Sequence, residues 1–168
     1  MDKYYYFAAQ LPGLMFQQKE NIPSMIFFKE EAAKWLTKED LNILMSVDIN
    51  NIMQKTGFKI LAECTQFEYD LRSELAKYRQ SVHEDFEYKI NLFPMSFIKE
   101  GNPLEVELRL LKYRWDFYEE KQFGHYSDMT YLVLYHMKLQ VLWRIESFNK
   151  EIGRGKFLNT CMVELAAA

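Results

Sequence analysis

Apolar residues recur along most of this chain at steps of three and four, the spacing that gathers side chains on one face of an α-helix. Between Phe58 and about Tyr88 the stripe reads Ile60, Cys64, Phe67, Leu71, Leu75, Tyr78 and Val82, while Glu68 and Arg72 stand one turn apart on another face, placed to pair. Pro94 lies past the end of that stripe, and Gly101-Asn102-Pro103 marks a break. Asn102 as N-cap, Pro103 at the first helical position and Glu105 at the third make a strong start signal. The helix so opened carries Leu104, Leu108, Leu111, Trp115 and Tyr118 on one side and ends around Phe123-Gly124. Ser127 is then the expected cap of a last long helix running to about Ile152, before Gly153. Its stretch from Met129 to Ile145 is apolar on nearly every face, so it is a central element or has one side docked on something else. The few residues between the two helices predict an antiparallel hairpin, roughly 30 to 37 Å long at the rise of an α-helix.

The N-terminal third is built of shorter pieces. The apolar run Tyr4 to Leu11, stopped by Pro12-Gly13, fits a short buried strand or one helical turn equally well. Ser24 caps a short helix with Phe28, Ala32 and Trp35 on one face. Thr37 with Asp40 three residues on opens another, with Leu41, Leu44 and Met45 on one side. Asp48 is placed to cap a further piece containing Ile52 and ending near Gly57. The predicted fold class is therefore all-α: a helical bundle with a long antiparallel hairpin, a short N-terminal strand being the open alternative. Residues 1–165 read as one helical domain, an N-terminal fragment of a longer protein, and Ala166-Ala167-Ala168 resemble the remnant of an expression tag.

Composition narrows the class. With 49% apolar and 27% charged residues the 168-residue chain is not intrinsically disordered. Its 21 Lys and Arg against 24 Asp and Glu give −3, without the basic excess of a nucleic-acid binder. Two isolated cysteines, Cys64 and Cys161, make no disulfide framework and fit a reducing compartment. The longest apolar stretch, Met129 to Met137, is interrupted by Thr130 and His136 and falls short of the roughly 20 residues of a membrane span. No basic-then-apolar leader opens the chain, so a cytoplasmic location is expected. The aromatic content of 16% is the unusual figure.

Catalytic and metal-binding patterns are sparse. None of His83, His125 and His136 has an Asp or Glu three residues before it, so the Glu-x-x-His pairs of di-iron bundles are missing. His83-Glu84-Asp85 reads as a solvated helix end, and His136, between Tyr135 and Met137, as a hydrogen-bonded core histidine. Gly153-Arg154-Gly155-Lys156 lacks the spacing and hydroxyl residue of a phosphate loop and reads as a helix stop with a basic last turn. Arg109, Lys112 and Arg114 interleave with Tyr113 and Trp115, but the surrounding acidic residues favour an ion-paired helix surface over nucleic-acid stacking. No catalytic residue, cofactor or metal ligand is expected.

The opening Tyr4-Tyr5-Tyr6-Phe7-Ala8-Ala9-Gln10-Leu11-Pro12-Gly13-Leu14 resembles the start of a bacterial family encoded within V-type ATPase operons, and Phe28 through Leu41 is similar to that family too. The two patches cover about a sixth of the chain. The resemblance implies an accessory or central-stalk component, a candidate equivalent of the all-helical C subunit (d in eukaryotes), which has no active site and seats the rotating shaft on the membrane ring. On this reading the protein is a non-enzymatic subunit or assembly factor, peripheral at the inner face of the cytoplasmic membrane, with other V-type ATPase subunits as partners. A generic cytosolic helical interaction module is the alternative, and an enzyme completed by a missing C-terminal region a third. Because aromatic residues are enriched at interfaces, the expected partner surface is Tyr4, Tyr5, Phe7 and Leu11 near the N-terminus with Leu158 and Met162 near the C-terminus.

Overall fold

Ten residues between Leu132 and Leu142 are buried, eight of them consecutive, so the last long apolar stretch is the central element of the molecule. The computed structural model describes residues 4–50 and 58–166, with side chains through residue 161. Eight helices and no strand occur among the described residues: α1 (Tyr5–Gln10), α2 (Met25–Trp35), α3 (Lys38–Ser46), α4 (Lys59–His83), α5 (Ser96–Lys99), α6 (Pro103–Gln122), α7 (Met129–Glu146) and α8 (Lys150–Ala166). The fold is all-α, as the periodicity predicts.

α6 and α7 pack along one another as the expected hairpin. Their direction is fixed by two cross-helix ion pairs, Lys138 with Glu119 and Arg144 with Glu107, in which position rises along α7 as it falls along α6. α4 lies on the other side of α6, also antiparallel, held by Lys121–Glu63 and Arg114–Glu68 and by Phe67 stacked on Phe117 at 4.0 Å. α1, α2 and α3 cover α7 from the opposite side, where Phe28 lies against both Tyr135 and His136. The principal core joins these helices around fully buried residues such as Leu44, Leu111, Leu132 and Leu139. Each contributes about 1.5–3 kcal/mol by leaving water. A smaller cluster of Leu71, Ile90, Phe93 and Leu110 fills the far end of the α4–α6 pair. There Arg109 donates to the carbonyls of Ser96, Phe97 and Glu100, which ties α5 to α6.

Local capping chemistry sets most boundaries. Ser24 Oγ accepts from the Phe27 N–H at 3.2 Å, and Thr37 Oγ1 from the Asp40 N–H at 3.3 Å. Asn102 and Glu105 complete a reciprocal capping box with Pro103 at the first turn. α4 stops at His83 rather than near Tyr88 because Asp85 takes a left-handed φ of 55° and the Phe86 N–H turns back to the Ser81 carbonyl at 3.0 Å, a Schellman closure.

Several expectations need correction. The segment from Tyr4 is the helical alternative: Tyr4, Phe7, Ala8 and Leu11 are its buried positions, a helical and not an alternating pattern. The cap of α7 is Asp128, whose Oδ1 accepts from the Tyr131 N–H at 2.9 Å, while Ser127 is buried one residue too early to serve. α7 ends at Glu146, and Asn149 restarts the chain as α8 by accepting from the N–H groups of Glu151 and Ile152. The hairpin is accordingly shorter at its α7 side. Gly153 and Gly155 therefore lie inside a helix and do not stop one. Val82 is exposed, the buried place in the last turn of α4 belonging to Ser81. Trp35 is likewise half-exposed at the end of α2. The piece expected around Ile52 lies outside the described residues.

Candidate functional site

The residues expected to form a partner surface divide into two groups. Tyr4, Phe7 and Leu11 are core residues: Phe7 packs on Phe28 at 5.8 Å, and the Tyr4 hydroxyl bonds to the Asp40 carboxylate while its N–H reaches the Ser127 carbonyl at 3.1 Å. A buried side chain cannot anchor a partner without unfolding α1, so these three leave the candidate surface. Tyr5 and Leu158 are exposed, 60% and 47%. Met162 falls within α8, beyond the described side chains. The structure thus leaves two candidate patches, one at the α1–α2 edge and one on α8.

At the α1–α2 edge, Tyr6 stacks on Trp35 at 5.9 Å with planes 20° apart, and Tyr5 meets Tyr6 edge to face at 5.8 Å. The helix beneath is fixed by the buried Phe7, so these three rings form an outward ledge on a rigid base. Trp35 was not expected at such a surface; its 29-residue separation from Tyr6 hides the stack from any local pattern.

α8 offers the second patch. Every described residue from Lys150 to Thr160 is exposed, and Ile152, Phe157 and Leu158 keep large apolar side chains in water. Phe157, Leu158 and Cys161 fall on one side at helical spacing. Against this, two glycines each cost the helix about 1 kcal/mol relative to alanine. A helix with an apolar side, poor intrinsic propensity and an exposed run of described residues is the kind that gains most from docking.

No family model, curated protein or solved structure matches the chain.

The buried titratable groups are engaged in holding the helices together. His136 Nδ1 donates to the Leu44 carbonyl at 3.0 Å, its other nitrogen lies 3.4 Å from Gln140 Nε2, and burial pulls its pKa down to about 4. Gln140 in turn bridges the Val47 carbonyl and the Ile49 N–H, so one network joins α7 to the end of α3. Burial pushes the Cys64 thiol up to about 12, which keeps it protonated. Glu68, buried between α4 and α6, is bonded by Arg114 and Arg72. Lys138 lies buried over the Trp115 ring at 5.0 Å and beside Glu119. Arg109, Lys112 and Arg114 each meet an acidic partner, Glu105, Asp116 and Glu68. Among the described residues no group of three His, Cys, Asp or Glu side chains is placed to hold a metal, and no helix is long and apolar enough to cross a membrane.

Proposed function

We propose that this protein works by protein–protein contact, as a non-enzymatic helical subunit or assembly factor of a bacterial V-type ATPase. The observation that carries the contact reading is α8, a 17-residue helix whose described residues from Lys150 to Thr160 are all exposed, Phe157 and Leu158 among them. The aromatic ledge of Tyr5, Tyr6 and Trp35 supplies a second surface of the composition that anchors interfaces. Two titratable groups that burial shifts strongly, His136 and Cys64, are spent on packing, which is what a rigid adaptor requires. What supports the ATPase assignment is the resemblance of residues 4–14 and 28–41 to the family encoded in V-type ATPase operons. The expected partners are other subunits of that complex, engaged at the inner face of the cytoplasmic membrane.

The test is to tag the full-length protein at its native locus and purify it from gently solubilised membranes. Stoichiometric co-elution with the V-type A, B and D subunits is the expected result. Recovery of the tagged protein alone, with the ATPase complex intact, would sink the assignment and leave a helical interaction module with other partners.

A further inference from the structure

A cavity of about 400 Å³ opens where α4, α6 and α7 meet beside Ile49 and Asn50, and four arginines line it: Arg72, Arg79, Arg114 and Arg144. Two carboxylates stand against them, Glu107 at the wall and Glu68 beneath, so the pocket keeps an excess of two positive charges within a chain of net charge −3. Two of the guanidinium groups, those of Arg72 and Arg114, are held in place by several bonds within the protein. Arg72 is fixed by the Ile49 carbonyl at 2.9 Å and by Glu68 at 3.4 Å. Arg114 is fixed by both oxygens of Glu68. Arg144 meets Glu107 through one nitrogen at 3.3 Å, and Arg79 has no partner among the described residues. A guanidinium carries five N–H donors, so each of the four retains donors not used inside the protein.

We propose that this pocket binds a phosphate group carried by a small molecule. Pre-positioned guanidinium forks are the side chains best matched to tetrahedral, multiply charged oxyanions, and an excess of two charges suits a dianion better than a single carboxylate. The cavity is several-fold larger than a phosphate group, and Leu75, Leu110 and Leu111 give it an apolar wall against which the rest of an organic phosphate packs. The site is separate from α8 and from the aromatic ledge, so it stands whether or not the protein joins an ATPase.

The experiment is calorimetric titration of the full chain with inorganic pyrophosphate and, separately, with phenyl phosphate. Saturable binding of at least one, weakened by raising salt from about 50 to about 300 mM, is expected. Arg79→Glu should weaken it by about tenfold or more, because it removes a charge-assisted hydrogen bond and cancels the pocket's excess positive charge. Arg79 is exposed, with no partner among the described residues, so that variant folds; Glu107→Gln should tighten binding by removing a competing charge. Tighter phenyl phosphate identifies phosphate esters as the ligand class, and tighter pyrophosphate the inorganic anions. No saturable binding of either, or binding indifferent to both substitutions, overturns the proposal. Binding of a poly-glutamate peptide with no response to the phosphate compounds also overturns it, in favour of an acidic protein partner.

Discussion

Glu68 and Arg114, 46 residues apart in sequence, share two hydrogen bonds of 2.5 and 3.2 Å inside the contact between α4 and α6. Glu68 is 3% exposed and the Arg114 side chain 13%, so the carboxylate is out of water and only the edge of the guanidinium reaches the cavity. Arg72, 41% exposed, completes the cluster from the solvent side. Removing the buried carboxylate by Glu68→Ala should cost about 3–5 kcal/mol, because it strands Arg114. The pair Glu68→Leu with Arg114→Met should recover most of that loss, since replacing both charges also removes their desolvation penalty. Urea denaturation of the three chains checks this, and a double variant as unstable as the single one would refute it.

His136 makes folding pH-dependent. Burial lowers its pKa from the ordinary 6.5 to about 4, so the unfolded chain takes up this proton first as pH falls. The stabilisation is complete above about pH 6.5 and is lost as pH drops from 6.5 to 4, by about 3 kcal/mol in all. Comparing wild type with His136→Phe at pH 7 and pH 4.5 isolates the effect from the carboxylates. The wild-type chain should lose more stability across that range; equal losses would assign the acid sensitivity elsewhere.

The Tyr118 hydroxyl is buried with no hydrogen-bond partner among the described residues, and its ring is fully enclosed. Burying a hydroxyl without a partner costs about 1–3 kcal/mol. Tyr118→Phe should therefore leave the midpoint of thermal unfolding unchanged or raise it. A clear drop in that midpoint would mean that the hydroxyl has a partner in solution.

Gly101 and Asn102 set the start of α6. Gly101 has φ +84°, and a Cβ there would strike the side chains of Glu105 and Arg109. Gly101→Ala should cost about 1–2 kcal/mol for the left-handed backbone. Asn102→Ala should cost about 1 kcal/mol by opening the capping box. Differential scanning calorimetry reads both, with a Gly101→Ala chain as stable as wild type the result that would count against the strain.

Substituting Phe157 and Leu158 together by serine should change stability by no more than about 0.5 kcal/mol, because both are exposed on α8. If α8 is the docking helix, the same variant should fail to co-elute with the ATPase subunits. Full co-elution would move the contact to the ledge at Tyr6 and Trp35.

Features governed by neighbouring residues were legible in the sequence. The capping box at Asn102, the caps at Ser24 and Thr37 and the buried character of α7 all follow from spacing within a turn or two. Features that depend on what arrives from elsewhere were not. Glu68 has a readable partner in Arg72 four residues on, but its burial and its stronger partner depend on where α6 lies. The four arginines of the cavity come from three helices and carry no shared motif. At the N-terminus, the aromatic run does not reveal that Tyr4 and Phe7 point inward while Tyr5 and Tyr6 point outward, because only the position of α7 decides which side is the core.

The packing of α1, α2 and α3 on α7 also orders events during synthesis. Phe28 rests on Tyr135 and His136, Tyr135 donates to the Pro12 carbonyl, and the Tyr4 N–H closes onto Ser127. The first third of the chain to leave the ribosome therefore lacks its main hydrophobic support, α7, until residues beyond 127 have followed it. At about 5–20 residues per second the wait lasts several seconds. During that time Phe7, Phe28 and Leu44 remain exposed to chaperones, and a ribosome stalled before α7 would release a chain that cannot close its core.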